Sequence, residues 1–197
     1  MSIELIIFLI IIVSVVLYAI SLYNKIVTIK NRVDNGWAQI DVQLQRRYDL
    51  IPNLVETAKS YMKHEQETLE LVINARNSAN EISKKIAEDP TNKEFVEKLQ
   101  EKEKLLQTAM MSFQALAEAY PDLKANTNML ALQEELSTTE NKVSFSRQAF
   151  NDAVMVYNTG IEMFPNSIIA NYFNFTEASE WVIEDQGARD NVKVSFD

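Results

Sequence analysis

The chain has 197 residues, no cysteine, three glycines, four prolines and a formal net charge of −9. That length holds one ordinary domain with an appendage, and so few turn-forming residues argue against an all-β fold. The missing thiols exclude disulfides, thiolate zinc or iron–sulfur sites and thioacyl anchors.

Residues 5–22, LIIFLIIIVSVVLYAISL, carry no charge, and the uncharged run extends through Asn24. As a helix, roughly 20 residues rise about 30 Å, the thickness of a bilayer's hydrocarbon. Fourteen of residues 5–22 are Leu, Ile, Val or Phe. At roughly 0.3–0.6 kcal/mol each, they favour insertion by about 6 kcal/mol. A membrane span is therefore expected over residues 1–24, with Leu5, Ile6, Phe8, Ile12, Val16 and Leu22 meeting lipid. A cleaved secretory signal fits less well, because no Lys or Arg precedes the run and no small-x-small site follows it.

All Lys and Arg follow residue 24, and Lys25, Lys30 and Arg32 come first. The positive-inside rule then puts the N-terminus outside and the C-terminal body in the cytoplasm. That body is acidic and lacks a basic patch, so nucleic acid is not an expected partner.

Three amphipathic runs follow. In the first, Trp37, Ile40, Leu44, Ile51, Leu54, Ala58, Tyr61, Leu69 and Val72 recur mostly in steps of three and four. Pro52 stands inside it and deprives the Tyr48 carbonyl of its helical partner, a cost of roughly 3 kcal/mol in an exposed helix. The apolar beat keeps its phase across the proline, so a kink in a continuing helix is expected, making residues 25–87 one long element.

The break Glu88-Asp89-Pro90-Thr91-Asn92 precedes a second run, Phe95 to Tyr120, with Thr91 or Asn92 available as N-cap. After the boundary at Tyr120-Pro121, a third run carries Met129, Leu132, Leu136, Val143, Phe150, Val154, Tyr157 and Ile161. Gly160 and Pro165 are expected to bound its far end. The fold class is thus all-α: an N-terminal transmembrane helix followed, over residues 25–175, by an antiparallel bundle of three to four long helices with coiled-coil-like seams.

Residues 32–77, RVDNGWAQIDVQLQRRYDLIPNLVETAKSYMKHEQETLELVINARN, resemble the start of the LemA family of bacterial membrane proteins. Residues 150–175, FNDAVMVYNTGIEMFPNSIIANYFNF, resemble that family's closing motif, and the resemblance runs through about Phe175. Gly36 stands where the family usually has alanine. The resemblance implies an extracytoplasmic N-terminus, one transmembrane helix and a helical bundle. It implies no established reaction, and envelope-associated roles are suggested for relatives that include magnetosome proteins.

Chemistry-bearing constellations are sparse. The single histidine, His64, has Tyr61 three positions earlier, so the paired Glu-x-x-His pattern of a di-metal bundle is missing. No metal or other cofactor is expected, and His64 with Glu67 reads as helical surface. With no glycine-rich phosphate loop, no Gly-x-Ser-x-Gly elbow, and no Cys or second His, an enzyme is not expected.

Two segments are candidate interaction sites. Arg46, Arg47 and Asp49 cluster beside Tyr48 and Pro52. They read first as an ion network within the bundle and second as a partner site. Phe164, Pro165, Ile168, Tyr172, Phe173 and Phe175 give a short segment an apolar face. It either folds back to cap the bundle, the favoured reading, or docks a partner protein, another copy or a membrane surface. Residues 176–197 read as a loosely ordered acidic tail, ending NVKVSFD in a short strand that could add to a sheet edge.

The expected function is a membrane-anchored helical scaffold or adaptor of the bacterial cell envelope, non-enzymatic and self-associating. Its partners are the lipid bilayer, a homo-oligomer and a membrane or envelope protein. The alternatives are a lateral oligomer that organises or remodels the membrane, and an enzyme using bundle carboxylates.

Overall fold

In the computed structural model, which describes residues 2–182, helix α1 runs unbroken from Ile3 to Lys59. At 1.5 Å per residue it is about 85 Å long. Every large apolar side chain from Ile3 to Ile20 is exposed. From Ile26 onward the same helix turns a stripe inward, burying Val33, Trp37, Ile40, Leu44, Tyr48, Ile51, Leu54 and Ala58. These residues recur at three- and four-residue steps, so they share one helical face, and that face becomes the bundle's core.

The described chain continues through α2 (Gln66–Glu88), α3 (Lys93–Ala117), the one-turn α4 (Pro121–Lys124), α5 (Thr127–Glu162) and α6 (Asn166–Tyr172). No strand occurs among the described residues. Four long helices pack as an antiparallel bundle. α1 lies in the middle, between α5 on one side and α2 on the other, and α3 packs on α2. Asn92 caps α3 by accepting the Phe95 amide, and Asn126 caps α5 by accepting the amides of Asn128 and Met129. Each side-chain oxygen satisfies donors that the first helical turn leaves open.

Two expectations are corrected. Residues 25–87 are not one element: α1 passes through Pro52 and ends at Lys59, and α2 starts at Gln66. The stretch 63–68, KHEQET, has no apolar residue, so a continuing helix there would have had nothing to bury. The chain turns instead, with Met62 buried as the anchor and Glu65 accepting the Tyr120 hydroxyl at 3.0 Å. Gly160 does not end α5 but lies inside it. There the absence of a side chain makes room for Ile29 of α1. Gly36 serves the same contact from the other helix, because a Cβ on it would stand 3.2 Å from the Phe150 backbone.

Candidate functional site

Pro52 removes the donor that would bind the Tyr48 carbonyl, and α2 supplies a replacement. Arg76 Nε donates to Tyr48 O at 2.7 Å, while Arg76 Nη2 reaches Asp49 Oδ1 at 3.4 Å. The proline thus creates an acceptor on the α2 side of α1, and the returning helix fills it. This offsets the penalty of a mid-helix proline with a charge-assisted hydrogen bond.

On the opposite side, Arg47 is buried and pairs with Glu103 of α3 and Glu140 of α5. The Tyr48 hydroxyl donates to the other oxygen of Glu103. Burial acts to lower the Arg47 pKa, but the two carboxylates outweigh it and raise the value. Burial and the Glu103 charge both push the Tyr48 phenol upward, so it stays a donor. Arg46 pairs with Glu135 of α5 at 2.6 Å. Arg46, Arg47 and Asp49 therefore each pair inside the bundle, and together they tie α1 to all three other long helices.

Beside this node a cleft of about 660 Å³ opens, with Arg47, Glu103 and Lys104 on one side and Leu136 and Glu140 on the other. Met110 and Phe113 add apolar wall. With Glu97 and Glu101 also lining it, acids outnumber cations, and the one buried guanidinium is already neutralised twice. The cleft suits apolar groups edged with positive charge better than an anion.

Residues 176–182 lie along α5 and bring Val182 to the wall of this cleft, and sequence reasoning missed them. Asn158 of α5 donates to the Ala178 carbonyl and accepts the Ala178 amide, both at 2.9 Å. Asn151 does the same for Trp181, at 3.0 and 2.8 Å. Seven helical residues rise about 10.5 Å and three extended residues span about 10 Å, so two amides two turns apart match the register of an extended strap. The Tyr157 hydroxyl donates to Thr176 O at 2.9 Å, and burial with the charges of Asp34 and Asp89 pushes its pKa up to about 12, so the link persists at mildly alkaline pH.

Trp181 is buried beside Trp37, their rings 6.1 Å apart, and Gln100 of α3 donates to the Glu180 carbonyl. These seven residues are not a loose tail. The signal available in sequence was the pair Asn151 and Asn158 on the α5 face that also carries Phe150 and Tyr157. The expected terminal strand lies outside the described residues.

The aromatic segment divides between the two readings made of it. Asn166 and Ala170 are buried, Ile169 is partly so, and Asn166 donates to Gly160 O at 2.9 Å, so α6 does fold back onto the bundle. Its outer face is nevertheless open, with Ile168 59% and Tyr172 78% exposed, and Phe164 in the turn before it is 80% exposed. Phe173 and Phe175 stack near Tyr23 of α1, at 4.7 and 5.8 Å between ring centroids. Pro165 forms the corner before α6.

His64 is exposed in the α1–α2 turn, and among the described residues no group of three or more His, Asp or Glu converges as metal ligands. Within the apolar stretch, Leu5, Ile6, Phe8, Ile12 and Val16 are exposed and Leu22 is partly covered. This end of α1 is long and apolar enough to cross a membrane. A comparison with protein-family models matches the LemA family over residues 36–196, reaching past Phe175 through the strap. A search of curated proteins finds no match.

Proposed function

The chain belongs to the LemA family, and from that membership and the geometry above we propose a membrane-anchored helical scaffold or adaptor of the bacterial cell envelope that acts without a catalytic step and self-associates. The observation that carries this reading is α1, one uninterrupted helix that is both the apolar segment and the middle helix of the bundle. A flexible tether would let the bundle wander, whereas a shared helix holds its cleft at a set height above the lipid. Such rigidity suits positioning. The chemistry agrees: the buried ionisable groups Arg47, Glu103 and Tyr48 satisfy one another and carry structural links between helices.

Lys25, Lys30 and Arg32 orient the body toward the cytoplasm by the positive-inside rule. Because the chain has no cysteine, a single Phe145→Cys variant reports topology directly. An impermeant maleimide is expected to label it only after cells are opened, and labelling in intact cells would reverse the orientation. Self-association is tested by sedimentation of the full chain in mild detergent. Oligomers are expected at micromolar concentration, and a monomer throughout that range would remove this part of the proposal.

A further inference from the structure

We propose that the outer face of α6, with the turn before it, is a second membrane contact: Phe164 of the turn and Ile168 and Tyr172 of the helix insert into the interfacial layer of the same bilayer that α1 crosses. The inference rests on the reading of residues 5–22 as a membrane span. Its first support is level. Antiparallel pairing of α1 with α5 sets Gly160 against Ile29, so the chain beyond α5 continues toward the apolar end of α1. α6 then packs on α1, and Phe173 and Phe175 just beyond it meet Tyr23.

Coverage on α1 extends higher still. Ala19, Leu22, Tyr23 and Ile26, spaced three, one and three apart on one face, are partly or fully covered, while Ser21 and Asn24 are exposed. Tyr23, which Phe173 and Phe175 meet, is one residue past Leu22, where the apolar run ends. The end of α6 therefore lies level with the end of that run, and interfacial helices bury their apolar faces by about 5–10 Å.

Composition supplies the second support. Ile168 and Tyr172 stand four residues apart on one face of α6, opposite the buried Asn166 and Ala170, and the exposed Phe164 stands in the turn just before the helix. In water this row would be an exposed apolar patch at the junction of bundle and span. In the interface it is solvated, with the Tyr172 hydroxyl at headgroup level, as in the aromatic belts of membrane proteins. The segment 164–175 carries no Lys or Arg, so the contact needs no anionic lipid. One span leaves a bundle free to rotate and tilt about it, and an off-axis second contact removes that freedom. The cleft between α3 and α5 then faces a constant direction over the membrane.

The test places single tryptophans in the full chain, reconstituted in vesicles of phosphatidylcholine brominated on its acyl chains. The two native tryptophans, Trp37 and Trp181, are buried in the bundle and set the background. Val13→Trp reports the span, Tyr172→Trp and Ile168→Trp report α6, and Phe145→Trp reports an exposed site far down α5. The expected result is that the added emission at 13, 168 and 172 falls by about half, since quenching reaches the depth of an interfacial helix, while that at 145 is unchanged. Adding anionic lipid should not alter the pattern. Quenching at 13 with none at 168 and 172 would overturn the second contact and leave the span standing. No quenching at 13 would overturn the span reading, and the inference with it. Quenching at 145 as strong as at 172 would also overturn it, since the bundle would then lie along the bilayer.

Discussion

The stretches 3–20 and 26–58 lie on one helix, yet the first exposes every large apolar side chain whereas the second buries an apolar stripe against three other helices. The backbone hydrogen-bond ladder is indifferent to that change, because each helical turn is satisfied internally in either surroundings. What differs is the pattern. A helix apolar on all sides asks for lipid, and one apolar on a single stripe asks for a bundle. The two halves should therefore respond to substitution as separate bodies.

The largest contrast is between Trp37→Ala and Val16→Ala. Trp37 sits in the core with Phe150 and Trp181 around it, so its truncation should cost the bundle about 3–5 kcal/mol in denaturant unfolding. Val16→Ala should leave that transition where it was, and a comparable loss there would show that the halves are not independent.

Glu103→Ala comes next. It takes one of two carboxylates from the buried Arg47, leaving Glu140, and strips the Tyr48 hydroxyl of its acceptor, and a loss of about 3 kcal/mol is expected. Replacing the group together, with Arg47→Met, Tyr48→Phe and Glu103→Leu, should recover most of it, because an apolar set of similar volume has no charge to desolvate. A triple variant no better than the single one would mean the ion node contributes net stability.

A smaller effect tests the proline. Arg76→Ala should cost about 1–2 kcal/mol in the native background, where it removes the donor to the Tyr48 carbonyl. In a Pro52→Ala background the new amide can take that carbonyl, and Arg76→Ala should cost less than half as much. Equal costs in the double-mutant cycle would show that Arg76 acts only through Asp49.

The smallest concerns Asp34, in the part of α1 that belongs to the bundle. Burial raises its carboxyl above the ordinary 3.8, with Lys30 opposing and Asp89 adding to the rise, and its Oδ1 is buried without a partner among the described residues. A raised acid favours the folded state while protonated, so its stabilising contribution is present below the unfolded pKa and is lost as pH rises through the folded one. Asp34→Asn should accordingly give a slightly higher Tm near neutral pH, with the gain vanishing in acid. A constant gain across that range would point to packing instead.

Much of this was legible along the chain. The apolar run, the three beats and the break at Pro90 are local signals read by counting. The turn at 60–65 was harder, since it contains neither glycine nor proline. Its mark was a gap, with no apolar residue between Met62 and Leu69. Gly160 misled because a glycine near a helix end usually stops it, whereas here it admits Ile29. The strap was hidden for a similar reason: Asn151 and Asn158 look like solvated polar positions until an extended segment lies against them.

The sequence by itself determined that this protein is helical, that one end of it is apolar enough to cross a membrane, and where most helices start and stop. Those properties depend on side-chain periodicity, caps and residue composition within a few turns. Only the tertiary structure decided that Arg76 completes the helix at Pro52, that Arg47 is shared by α3 and α5, that Trp181 returns to Trp37, and that α6 stands level with the end of the apolar run. Each depends on groups tens of residues apart meeting in space, and their spacing in sequence carries no period that would announce it.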